Sequence, residues 1–286
     1  MRNWLILLLS LFTLISSCNN DSDDQDIPEV LGCTDPESAN YNPDATISDN
    51  SCLYTVKENV PLISKVTATW CPPCGENGMP GFKRILNGLS GTFTAVSCHV
   101  SRSLFFNESS EAFLNYSLKR YVTPTILTNH YVSGAYSDPE STLKYAQRYS
   151  DSVRSKPVVA ALVGTSTYEL NELRYDISAD VWAQFFEPTE DVHKIAILII
   201  QDSISNFQNG SPNDRMHRNI LNGYVGDEFA VTLKKSSFQK GESEGIHVEG
   251  PSRMTDMTKV HVIAILFKET EDRLEIVNTR KLEFVE

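Results

Sequence analysis

Trp70-Cys71-Pro72-Pro73-Cys74 decides how this chain is read. Two cysteines separated by two residues can open a helix and close a small, easily reduced disulfide. Only a thiolate attacks another sulfur, and a helix N-terminus stabilises negative charge on the first cysteine. Proline suits that start, because its missing N–H has no intrahelical partner there. The motif alone leaves three roles open: a redox site, a pair of metal ligands, or an unused remnant. The flanking sequence has to decide among them.

Working outward, Val60 to Ala68 is a β-prone run leading into the motif. A helix from near Pro72 carries Phe82, Ile85, Leu86 and Leu89 inward, and Phe93 to Val100 reads as the next strand. Ser109 to Tyr121 reads as a second helix, with Phe113, Tyr116, Leu118 and Tyr121 among its apolar positions. Val122-Thr123-Pro124-Thr125-Ile126-Leu127 follows, and Asp138-Pro139 caps and starts a helix to about Ser152. WCPPC, with Thr123-Pro124 about fifty residues on, resembles the dithiol and the cis-proline loop of thioredoxins. A cis X–Pro bond is a deliberate feature that leaves the local backbone free to pair with a substrate peptide.

The resemblance implies an α/β thioredoxin-like domain over residues 57–155, acting on protein thiols and disulfides. Cys71 would attack a substrate disulfide and Cys74 would resolve the mixed disulfide. Trp70 would cover one side of the sulfurs, and Thr123 and Pro124 would hold the substrate strand. One position departs from the family. Thioredoxins usually carry a buried acid six residues before the first cysteine, and here that residue is Lys65. A lysine in that place favours the thiolate and slows proton transfer; a register shifted by one leaves it on the surface.

A zinc site needs two further ligands. The six histidines are scattered, and no second CxxC or HxxxH exists, so no metal is expected. Cys98 lies in a strand-like run and reads as a small buried hydrophobe.

The N-terminus speaks to compartment. Trp4 to Ile15 is apolar, too short to span a bilayer and suited to a signal sequence. It ends in Leu14-Ile15-Ser16-Ser17-Cys18, which resembles a bacterial lipobox. That resemblance implies a signal peptide over residues 1–17, a lipid on Cys18 and membrane attachment through it. The net charge of -12 is unevenly spread, with nine acidic residues and no Lys or Arg between Asn19 and Cys52. Residues 18–31 read as a disordered acidic tether. Acidic runs after a lipidated cysteine resemble surface-export signals of Bacteroidetes-type lipoproteins; a solvated spacer explains the same residues. No basic stripe is present for a nucleic acid.

Residues 32–54, from Gly32-Cys33-Thr34-Asp35 through Asn40-Tyr41-Asn42-Pro43 to Ser51-Cys52, resemble a short module of secreted bacterial proteins. In an oxidising envelope Cys33 and Cys52 are expected to form a disulfide. Such a loop contributes about 3 kcal/mol in the chain-entropy model. Asp35, Asn42, Asp44 and Asp49 offer oxygens to calcium, but the spacing is not an EF-hand. Turn-forming Asp and Asn account for most of the pattern, so no cofactor is assigned.

From Pro157 the pattern changes. Val158 to Val163 is a short apolar strand, and Leu173, Tyr175, Ile177, Ala179 and Val181 alternate with polar residues. Lys194 to Ile200, Val260 to Phe267 and Leu274 to Phe284 add strands, so residues 157–286 read as an all-β sandwich. A lipoprotein signal, a thioredoxin-like domain and a β-sandwich together resemble the outer-membrane-protein-28-related lipoprotein family. Asp214-Arg215-Met216-His217-Arg218-Asn219-Ile220-Leu221-Asn222-Gly223 resembles that family's His/Arg segment. His217 and Arg218 are read as a hairpin or inter-domain contact. Two functions remain. One is a lipid-anchored outer-membrane thiol–disulfide oxidoreductase. The other is a surface lipoprotein that binds a protein or glycan partner, with the thioredoxin-like fold as scaffold.

Overall fold

The computed structural model describes residues 28–118, 121–134, 138–211 and 216–285. The expected signal peptide, the lipid site Cys18, tether residues 18–27, Asp214 and Arg215 lie outside them. Among the described residues no helix is long and apolar enough to cross a membrane.

The first element is a small module in which β1 (Leu31–Gly32) pairs in parallel with β2 (Ile47–Ser48). A disulfide joins Cys33 to Cys52. The four oxygen-bearing side chains read as calcium candidates are mostly committed to turns. The Asp35, Asn42 and Asp49 oxygens accept from the backbone N–H of Glu37, Asp44 and Ser51 at 2.9, 3.0 and 2.9 Å. The module rests on the far end of the chain, with the Ser243 hydroxyl donating to the Ala39 carbonyl at 2.7 Å.

Next comes β3 (Leu62–Thr67), every residue of which is buried. A helix follows, opening at Pro72, widening into a π-turn over Cys74–Gly78 and continuing as α1 (Met79–Gly88). The widening ends where Pro80 brings no N–H to the ladder. β4 (Thr94–His99) lies parallel to β3. α2 (Glu108–Phe113), capped by the Asn107 side chain, runs into a second π-turn at Leu114–Leu118. β5 (Thr125–Thr128) is antiparallel to β3, and β6 (Tyr131–Gly134) is antiparallel to β5. α3 (Pro139–Arg154) closes this half, its start fixed by the Asp138 carboxylate, which accepts from two backbone N–H groups. The strand order is β4-β3-β5-β6. Phe82, Ile85 and Leu89 of the α1 segment pack with Ala146 of α3 on Ile63, Ala95 and Ile126.

The second half opens with the long hairpin β7 (Ala160–Asn171) and β8 (Arg174–Phe185). Leu173, expected inside this strand, is 87% exposed. The chain turns at Glu172, with φ 56°, so the alternation begins only at Arg174. Then come β9 (His193–Gln201), the two-residue pair β10 (Ile204–Ser205) and β11 (Met216–His217), and β12 (Ile220–Tyr224). β13 (Val231–Thr232), β14 (Ser243–Pro251), β15 (Val260–Glu269) and β16 (Leu274–Phe284) complete the chain. One core lies between the β7–β8–β14 layer, with Ile177, Ala179 and Val181, and the β9–β15–β16 layer, with Ile197, Val262 and Leu282.

The fold is therefore rich in β-structure, and its two halves share one 12-stranded sheet. β12 is the joint, antiparallel to β9 and parallel to β4. A second core spans the joint, from Leu62, Val96, Phe113 and Leu114 to Leu198, Ile265 and Phe267. Buried Asn278 on β16 stitches the seam. Its amide donates to the Glu58 and Ala160 carbonyls, both at 2.8 Å, and its oxygen accepts from the Val60 N–H at 2.9 Å. A buried amide satisfied on both sides holds two segments in one register.

Candidate functional site

The dithiol sits where β3 ends and its helix begins. Cys71 and Cys74 are joined by a disulfide with a Cα–Cα distance of 5.3 Å. The Cys74 backbone N–H points at the Cys71 sulfur, 3.3 Å away. The same N–H also donates to the Cys71 carbonyl at 3.1 Å, so on reduction a Cys71 thiolate shares this helix-terminal donor with that carbonyl. Cys74 is fully buried and Cys71 only 3% exposed. Trp70 stands beside them, 46% exposed, its indole N–H donating to the Ser101 carbonyl at 3.1 Å.

Pro124 reaches the same helix one turn on. The Thr123–Pro124 bond is cis, and a Cβ built on Gly78 would lie 2.9 Å from the Pro124 Cβ. Gly78 permits this close approach. The structure thus gathers Trp70, Cys71, Cys74 and Pro124, with Thr123 next to it in the chain, around one helix start. Cys33 and Cys52 lie apart in the N-terminal module.

Lys65 is not a surface residue. It is 2% exposed on β3, with its ammonium 4.7 Å from the centre of the Phe82 ring. Aromatic faces attract cations, which accounts for part of its accommodation. Cys98 is free and buried; burial drives its thiol pKa far above the ordinary range, and the Lys65 charge opposes this only in part. Such a thiol is inert at neutral pH.

Behind the motif lies a histidine pair. His99 is fully buried, and burial, then Lys65 and His217, hold its pKa well below the usual value, so it is neutral. Its Nδ1 meets the Ser103 hydroxyl at 2.6 Å, and that hydroxyl accepts from the Thr69 N–H at 3.0 Å. Phe105 and His217 pack on the His99 ring. His217 Nε2 lies 3.3 Å from the Phe207 carbonyl, and the Arg218 carbonyl accepts from Ser97 at 2.7 Å. Both residues therefore lie at the contact between the halves.

Sequence reasoning missed the segment that covers the dithiol. Gln208, 3% exposed, donates from its side-chain nitrogen to the Ala68 and Cys71 carbonyls, both at 3.1 Å. The Asn209 N–H donates to the Thr69 carbonyl at 2.8 Å, and its side-chain amide to the Trp70 carbonyl at 3.1 Å. Asn209-Gly210 is a turn signal in the sequence, but nothing local says where the turn docks. A cleft of about 440 Å³ lined by Asn107, Arg174, Asn222 and Arg253 includes neither cysteine.

With this geometry in view, two solved structures from Porphyromonas gingivalis are similar to this chain. HBP35 is 13% identical, with a TM-score of 0.60 over 79% of this chain and 76% of that one. This chain shares its fold with HBP35. A domain of the outer membrane lipoprotein Omp28 is 7% identical, covering 45% of this chain and 90% of that one with a TM-score of 0.28. No family model matches, and no curated protein matches. The likeness to HBP35 extends to fold alone, so the chemistry has to be argued from the residues. Among the described residues no group of three or more His, Cys, Asp or Glu is placed to hold a metal ion.

Proposed function

We propose that this chain is a thiol–disulfide oxidoreductase of the cell envelope, held to the outer membrane by a lipid on Cys18. The observation that carries this reading is the Cys71–Cys74 pair at a helix start, with the Cys74 N–H directed at the Cys71 sulfur. The strand order β4-β3-β5-β6, with β5 antiparallel to β3 and with α1 and α3 packed on one face, supports a thioredoxin-like unit over residues 57–155. The two β-layers of residues 157–286 support a β-sandwich unit fused to it. In this reading the chain is a relative of the Omp28-type lipoproteins, with the Cys33–Cys52 module as an addition.

The chemistry is dithiol–disulfide exchange with protein disulfides. The Cys71 thiolate forms a bond to one substrate sulfur, and the other leaves as a thiolate that takes up a proton. Cys74, having lost its proton, then attacks the Cys71 sulfur, closing the disulfide seen here and releasing the second substrate thiol. Two electrons pass from the dithiol to the substrate, and a dithiol donor restores them. Trp70, Thr123 and Pro124 flank the substrate strand. Buried Lys65 replaces the acid usual in thioredoxins, which favours thiolate over rapid proton transfer.

The test is the reduction potential of the pair, measured by glutathione titration, alkylation and mass readout. A two-electron couple between about -270 and -120 mV is expected. A pair that stays oxidised below about -300 mV is a structural staple, and that result overturns the reading.

A further inference from the structure

We propose that Phe207–Ser211 is an intramolecular occupant of the place where a substrate polypeptide meets the dithiol, and that Gln208 latches it there. This rests on the oxidoreductase reading and concerns how that site is regulated.

Four successive carbonyls at the motif, those of Ala68, Thr69, Trp70 and Cys71, all accept from Gln208 or Asn209. They belong to the turn that presents the dithiol, so a segment bonded to them lies where a substrate has to approach Cys71. The approach is as close as backbones allow. A Cβ on Gly210, where φ is +78°, would lie 2.1 Å from the Pro72 carbonyl oxygen. A Cβ on Gly75 would lie 2.2 Å from the Asn209 oxygen. Glycine is required on both sides of this contact.

The segment covers the nucleophile and leaves its rim open. Cys71 is buried, while Trp70, Leu104 and Phe207 nearby are exposed. Among the described residues the supporting strands β10 and β11 pair with each other and not with the large sheet, so the segment can lift without breaking that sheet. The latch also carries a flaw. Three carbonyls around the Gln208 nitrogen fix the orientation of its amide, and its oxygen is then buried with no partner among the described residues. A buried acceptor left unpaired weakens the closed state. Protein disulfides therefore reach Cys71 only in the lifted state, at an apparent rate scaled by its population.

The experiment uses the mature chain in detergent, reduced with a phosphine, and compares two alkylating agents. N-ethylmaleimide is small; a maleimide on a long polyethylene glycol chain is not. Gln208→Ala removes the latch, and Gly210→Ala prevents the segment from seating. Gly241→Ala is the control, since Gly241 also has positive φ but nothing within 4 Å of its Cβ position. We expect the bulky-to-small rate ratio at Cys71 to rise about tenfold in Gln208→Ala, at least as much in Gly210→Ala, and not at all in Gly241→Ala. An unchanged ratio in a folded Gln208→Ala chain overturns the proposal, whether or not Gly210→Ala folds. A pair reducible by phosphine but not by dithiols would sink the oxidoreductase reading instead, and the ratio would still judge the segment.

Discussion

The bridges Cys33–Cys52 and Cys71–Cys74 have similar Cα–Cα distances, 4.7 and 5.3 Å, but they span sequence separations of 19 and 3. The first closes a loop whose side-chain oxygens are occupied in turns, and its value lies in what it denies the unfolded chain. The second closes a single helical turn, where that constraint is small. Instead it sits beneath a directed N–H, between a cis-proline loop and a segment contributed by the other half of the chain. The bond is the same in both. A polar group lies against a sulfur in both, the Ser38 hydroxyl 2.8 Å from Cys33 and the Cys74 N–H 3.3 Å from Cys71. Loop length and the helix-start setting are therefore what distinguish a staple from the proposed reagent.

The largest test of that contrast removes each sulfur in turn. Cys71→Ser should reduce turnover of a protein disulfide to background while the thermal midpoint hardly moves. Cys74→Ser should accumulate a mixed disulfide at Cys71, visible by mass under non-reducing conditions. Cys33→Ser should do the reverse, lowering stability by about 3 kcal/mol in a denaturant titration and leaving the Cys71–Cys74 potential in place. A Cys33→Ser chain that loses turnover without losing stability would break the comparison.

Acid should separate the same two regions more gently. Burial lowers the pKa of His130 and of His261 to about 4, and lowers His99 and His193 as well. In the unfolded chain these groups protonate near 6.5. Below that pH the folded chain binds fewer protons, so this stability is fully present above pH 6.5 and is lost as pH falls towards about 4. His130 and His261 should each cost about 1–2 kcal/mol by pH 5. The module between Cys33 and Cys52 contains no histidine. Hydrogen bonds from Tyr54 to Asp35 and from Ser51 to Asp49 hold those carboxyls below their usual values. Amide exchange at pH 7 and pH 5 should show protection falling in the body of the chain before the module. Equal losses in both would remove the distinction.

What was legible in the sequence follows the range of the forces involved. Asp138-Pro139 announced the start of α3, because capping is local. Leu274 to Phe284 and the run from Tyr175 to Val181 were legible, because one buried face imposes a period of two. The dithiol was legible as a motif. The joint was not: Ile220-Leu221-Asn222-Gly223-Tyr224 is short and glycine-broken, and its register with Ser97 is set by a distant partner. Gln208 gave no signal either, since a polar residue in a turn-rich stretch reads as solvated until its acceptors are known. Lys65 was ambiguous by one register step, and the Phe82 ring above its ammonium shows the side it faces.

The smallest expected effect concerns the remaining thiol, and it tests whether the contrast involves two pairs or a pair and a triad. Cys98 lies among Val96, Leu62 and Leu198 in the core shared by both halves. Burial raises its pKa against the opposing charge of Lys65, so the reactive thiolate is scarce at neutral pH. In the reduced native chain, alkylation should spare Cys98 and reach it only after denaturation. Cys98→Ala should cost about 1 kcal/mol, the scale of removing one buried heavy atom. It should shift the Cys71–Cys74 potential by less than about 30 mV, the equivalent of 1.4 kcal/mol for a two-electron couple. A larger shift, or native alkylation at Cys98, would mean that a third sulfur exchanges with the pair and that buried Lys65 stabilises a thiolate on its own strand layer.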